Sequence, residues 1–187
     1  MNIKINKKYL IYNKYKVKCA LGKRGIGNKK KEGDLITPKG LFKIKYVLYR
    51  KDRIENIQTT FKKIIIRKNM GWCDDPRSED YNRLIKYPFS GSSEKLFRKD
   101  NLYDVILVLN FNMRPVIKNK GSAIFIHIAS KRFAATKGCV AIKKDELNES
   151  KREESEDRKE KIEEKLETKP GKEKEKITKK IKPKMGV

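Results

Sequence analysis

The apolar residues of the first 148 positions fall into segments no longer than a β-strand, and this limits the fold more than any other feature of the chain. "IKINKKYLIYNKYKVKCAL" alternates apolar and polar residues and is rich in Ile, Tyr and Val, the period-two signature of one or two half-buried strands. "LFKIKYVLYR" alternates in the same way, and "KKIIIRK" is another short strand. "LYDVILVLNFN" and "SAIFIHIAS" are nearly continuous apolar runs of strand length, as expected of strands central in a sheet. Between them lie "GKRGIGNKKKEGDLITPKG", a loop with five glycines, and "NMGWCDDPRSEDYNRLIKYPFSGSSEKLFRKDN", an irregular stretch punctuated by Pro76, Pro88 and Gly91. The pattern predicts a mainly β domain over residues 1–148, a sandwich or partly closed barrel with short helices in its loops.

The composition changes after residue 148. Basic residues outnumber acidic ones by only 14 to 11 between Glu149 and Val187, leaving 35 against 13, or +22, in residues 1–148. "EESEDRKEKIEEKLETK" has Glu and Lys at helical spacing but almost no apolar stripe, so 149–187 reads as a Lys/Glu-rich low-complexity tail, helical or disordered. A domain at +22 attracts polyanions such as nucleic acid, anionic lipid or a carboxylate-bearing wall polymer. Codon bias toward lysine would explain the same charge, so the charge alone selects no partner. The N-terminal segment has no apolar run long enough for a signal-peptide core or a membrane span.

Cys19, Cys73 and Cys139 are far apart, with no zinc-ligand spacing and no disulfide framework, and His127 is the only histidine. No metal site is expected. His127 and Cys139 frame the stretch "HIASKRFAATKGCVAI". His127 closes an apolar run and shares a face with Phe125 and Ala123, while Ile124, Ile126 and Ile128 share the other. Cys139 follows Gly138, and a glycine before a nucleophile allows a sharp turn that frees amides for an oxyanion. Adjacent strands joined by the intervening eleven residues would set the two side by side, where an imidazole can take the thiol proton. A buried histidine and a small apolar cysteine account for the same residues.

"GSAIFIHIASKRFAATKGCVAI" resembles the active-site segment of the L,D-transpeptidase (YkuD) family: a histidine, a variable loop, then Ser/Thr, His, Gly and Cys. "ALGKRGIGNKKKEGDLITPKGLFKI" and "MGWCDDPRSEDYN" are similar to two further blocks in short bacterial members, and the three cover about residues 15–147 in family order. The resemblance implies that Cys139 is the nucleophile and His127 its base. Thr136 and Gly138 match signature positions, and the resemblance further implies that amides around Gly138 and Cys139 form the oxyanion hole and that a carbonyl just after His127 orients its ring. Three features depart from the signature: only eight residues separate His127 from Thr136, Lys137 stands where the second histidine is expected, and Ala141 replaces a common arginine. Lys137 either holds a substrate carboxylate or is simply solvated.

The remaining blocks leave two readings open. Gly33 and Asp34 belong either to a loop beside the substrate cleft, as in the family, or to a turn leading into a strand. Trp72 and Asp74 either line the cleft, as an apolar wall and a polar contact, or serve as a packed aromatic and a turn cap. "GKRGIGNKK" lacks the G-K-[ST] and helix of a phosphate-binding loop.

The resemblance implies attack of Cys139 on a peptidoglycan tetrapeptide stem, release of D-alanine and transfer to an amine, without cofactor and as a monomer. Water as acceptor gives an L,D-carboxypeptidase or amidase instead. A basic nucleic-acid-binding module is the rival class, but the chain has no helix-turn-helix or RNP-type pattern, so no specific nucleic acid is expected. The family points to the bacterial cell envelope or periplasm, whereas the lack of a visible signal segment also fits the cytoplasm.

Overall fold

The computed structural model describes residues 3–6, 8–12 and 15–145. The chain divides after residue 147, and the tail expected from residue 149 lies outside the described residues.

The opening alternation, expected to give one or two strands, gives three: β1 (Ile3–Asn6), β2 (Tyr9–Tyr12) and β3 (Tyr15–Ala20), paired antiparallel in a meander. The glycine-rich loop carries two short parallel pieces, β4 (Ile26–Gly27) and β5 (Thr37–Pro38). The next alternating run is split into β6 (Leu41–Phe42) and β7 (Ile44–Tyr49), followed by β8 (Lys63–Ile65). The stretch expected to be irregular forms a small sheet from β9 (Met70–Cys73), β10 (Leu84–Lys86) and β11 (Ser93–Lys95), with β9 in the centre. The two apolar runs become β12 (Val105–Leu109) and β13 (Phe125–Ile128), and "VAI" becomes β14 (Val140–Ile142).

Nine strands form one sheet in the order β6-β1-β2-β3-β14-β13-β12-β7-β8. Only Lys43 separates β6 from β7, yet seven strand-to-strand steps lie between them in the sheet. A flat sheet would hold them about 34 Å apart at the usual 4.8 Å spacing, whereas a single intervening residue spans about 7 Å. The sheet therefore curls back on itself into a partly closed barrel.

Inside the curl, Ile3, Ile5, Leu10 and Phe42 pack against Ile124, Ile126, Val140 and Ile142. On the other face of β12 and β13, the small sheet contributes Met70, Trp72 and Leu96, packed on Ile106, Val108 and Phe125. Both faces of β13 are covered, which is why "FIHI" is buried at all four positions and lacks an exposed polar alternation. The apolar pattern thus places His127 at the end of a rigid central strand.

The short helices expected in the loops do not form between residues 15 and 143, where the connections are turns and bends. Side chains cap these turns locally: Asp75 accepts from Arg77 N–H, Ser78 from Asp80 N–H, and Asp100 from Leu102 N–H. Such bonds to the backbone compete with helix formation. Among the described residues no helix is long and apolar enough to cross a membrane.

Candidate active site

β13 and β14 are parallel neighbours, with His127 opposite Ala141 and Ile126 opposite Val140. The loop joining them leaves the sheet and runs beside residues 21–23, where Thr136 N–H donates to Leu21 O and Lys23 N–H donates to Thr136 O. It then returns to start β14, so that His127 and Cys139 open on the same cleft.

The His127 ring is fixed at two points. Its Nδ1 lies 2.8 Å from Ile128 O. A carbonyl can only accept, so Nδ1 carries the proton and Nε2 presents its lone pair. Tyr103 meets the ring edge-on, with centroids 5.3 Å apart, and its hydroxyl donates to Glu94 Oε1 at 2.5 Å. Burial lowers the imidazole below its ordinary pKa, and the bond to Ile128 O offsets only part of that.

Thr136 builds the turn before Cys139. Gly138 N–H donates to Thr136 Oγ1 at 3.1 Å, and that hydroxyl donates to Cys139 O at 2.6 Å. Thr37 adds a longer bond to the same carbonyl. Gly138 has φ +146°, and a Cβ there would sit 3.1 Å from Ile36 O, so the position requires glycine. The Gly138 amide, expected to help form an oxyanion hole, is thus already engaged within the turn. Thr136 and Gly138 hold the backbone that presents the thiol.

The Cys139 thiol donates to Ala123 O at 3.0 Å. The residue is half-buried, yet loss of solvent around its sulfur pushes the thiol up to about 12, and the Glu94 carboxylate adds to the rise. Thiol and imidazole both rest neutral at neutral pH. The other two cysteines are buried core residues.

The cleft encloses about 660 Å³. Of the residues expected to line it, Gly33, Asp74 and Lys137 do so, Lys137 as an exposed side chain. Asp74 Oδ1 is buried without a hydrogen-bond partner among the described residues. Trp72 does not form the apolar wall considered for it. It is 1% exposed, meets Phe125 edge-on at 5.0 Å and donates from Nε1 to Asn82 Oδ1, because β9 is the central strand of a sheet pressed onto β13. Asp34 is also buried, its carboxylate accepting from Lys29 Nζ and from the Lys30, Lys31 and Ile36 amides, so it shapes the turn and stays out of the cleft lining.

A family description of the YkuD L,D-transpeptidase catalytic domain matches residues 3–150. The chain belongs to that family. No curated protein and no solved structure matches it. Peptidoglycan stem peptides are the substrates of L,D-transpeptidases of this type, and the cell envelope is their usual location.

Within the L,D-transpeptidase framework, four residues were not singled out by sequence reasoning: Lys29, Glu94, Tyr103 and Asn82. Lys29, Glu94 and Tyr103 line the cleft. Asn82 sits behind it, accepting from Trp72 Nε1 and Ala123 N–H and donating to Phe111 O and Asn112 O, which pins the segment that enters β13. The "DYN" of the second family block supplied a faint signal for Asn82. Nothing in "NKKKEGD" distinguishes Lys29 from its two neighbours.

Proposed function

We propose that the protein is a cysteine-dependent L,D-transpeptidase acting on peptidoglycan tetrapeptide stems. Cys139 attacks the carbonyl of the third, diamino-acid residue. His127 Nε2 takes the thiol proton as the carbon–sulfur bond forms and returns it to the departing D-alanine amine. The side-chain amine of a second stem then attacks the thioester and releases the cross-linked product. Because both groups rest neutral, proton transfer accompanies attack, and no stored thiolate is required.

The observation that carries this reading is the His127 ring locked by Ile128 O, with no hydrogen bond to its Nε2 among the described residues, on the strand beside the one headed by Cys139. The lining of the cleft adds support. Lys23, Lys137 and Arg98 suit the free carboxylates of a stem, and Asp74 with Glu94 suits its amine.

Mass analysis of products from purified tetrapeptide muropeptides tests the reaction. A dimer lacking one D-alanine is expected from the wild type and is absent with Cys139→Ala. A tripeptide product alone would reassign the acceptor to water, and unchanged substrate would remove the enzymatic reading.

A further inference from the structure

The Gly138 amide is engaged by Thr136, and the position two after the nucleophile holds Ala141 instead of a cation. Acyl transfer nevertheless places negative charge first on sulfur and then on the carbonyl oxygen, and water-poor sites rely on fixed positive charge to stabilise it. A lysine outside the family signature occupies the required place. The Lys29 side chain is 2% exposed and lines the cleft. Its stem crosses Gly121 so closely that a Cβ there would collide with Cε, and its Nζ lies 3.7 Å from where a Gly138 side chain would begin.

A buried ammonium is costly unless paired, and Asp34 pairs with it at 2.6 Å. That carboxylate also accepts the Lys30, Lys31 and Ile36 amides. Burial alone would raise Asp34, but the Lys29 contact and these three amides outweigh it and hold the carboxyl at about 2. With its charge spread over four donors, Asp34 anchors the ammonium without fully cancelling its field. It does not line the cleft, whereas Lys29 does.

We propose that Lys29 is a charge-stabilising residue of the acyl-transfer site, its ammonium held by Asp34 against the Gly138 turn to offset the negative charge that develops on Cys139 sulfur and on the substrate oxyanion. In that step the sulfur bonds to the carbonyl carbon, the π pair moves to oxygen and the thiol proton goes to His127. On collapse the carbonyl re-forms, the carbon–nitrogen bond breaks and the amine leaves with that proton. Lys29 keeps its own protons throughout. Among the groups around the thiol, Glu94 and Glu32 oppose ionisation and Lys29 favours it. Asp74, Arg98, Lys23 and Lys137 line the same cleft, as do His127 and Tyr103.

This inference rests on Cys139 as nucleophile, so its test needs no substrate. The rate of iodoacetamide alkylation at Cys139, located by peptide mass analysis, is followed against pH in the folded full-length protein. Lys29→Met keeps the stem over Gly121 and removes the charge, and it should raise the apparent thiol pKa by roughly one unit or more, slowing alkylation about tenfold at a given pH. Lys29→Arg should restore most of the rate. Asp34→Asn leaves the ammonium uncompensated and should shift the thiol the opposite way. A purely structural pair would not give opposite shifts. An unchanged profile in folded Lys29→Met overturns the proposal. If that variant does not fold, Asp34→Asn decides, with a fall supporting the proposal and no change or a rise overturning it. Absence of any alkylation at Cys139 in the wild type would overturn the nucleophile reading instead.

Discussion

His127 and Cys139 lie diagonally across two parallel strands: His127 pairs with Ala141, and Cys139 stands two residues before Ala141 at the head of β14. Alternation along a strand puts residues 139 and 141 on the same side, so the thiol and the imidazole share a face by register alone. The resting thiol bonds to Ala123 O. In the proposed mechanism, activation requires the S–H to rotate from that carbonyl toward Nε2, with the ring held still by Ile128 O.

Glu94 works against the thiolate. Its own pKa is raised by burial, and its charge adds to the rise at Cys139. Glu94→Gln keeps an oxygen to accept the Tyr103 hydroxyl and removes the charge. Alkylation of Cys139 in this variant should be several-fold faster than in the wild type at mildly alkaline pH. Equal or slower alkylation would show that Glu94 exerts no field on the thiol.

The pH dependence of kcat/KM has a definite sign. As the proposed general base, His127 works only as neutral imidazole, and burial lowers its pKa below 6.5. Activity should hold as pH falls through 6.5 and decline only at lower pH. The same depressed value favours the fold above the unfolded histidine's pKa, and that contribution is lost as pH falls toward the folded one. An acid limb at or above 6.5 would mean that the ring is solvated or paired with an anion in the working enzyme.

Asn82 should matter for stability although it lies outside the cleft lining. It is 2% exposed at φ +59°, a left-handed conformation that asparagine tolerates. Asn82→Ala strands the Trp72 Nε1 and Ala123 N–H donors as well as two carbonyls. At about 1–3 kcal/mol for each buried group left unpaired, partly relieved by relaxation, the expected loss is roughly 3–5 kcal/mol. Urea unfolding measures it, and a change within about 0.5 kcal/mol would contradict the pinning role.

Local pattern made much of this legible in advance. β12 and β13 are the nearly continuous apolar runs expected to be central strands, and the glycine before Cys139 marked a turn that its φ of +146° confirms. β9, β10 and β11 were hidden because strands of three or four residues, interrupted by prolines, leave no measurable alternation. Trp72 was ambiguous for the same reason: its burial follows from how that small sheet sits on β13. Glu94 and Tyr103 lie far from Cys139 in sequence, and only tertiary packing brings them to the cleft. Lys29 is one lysine of three in a row, singled out only by the glycines it crosses.

The central claim is that Cys139 carries the acyl group, and intact-protein mass tests it most directly. After brief incubation with a tetrapeptide stem and an acid quench, the wild type should gain the mass of the tripeptide acyl group, fragmentation should locate it on Cys139, and Cys139→Ala should gain nothing. Turnover of the stem with an unmodified Cys139, or an adduct on any other residue, would contradict the account.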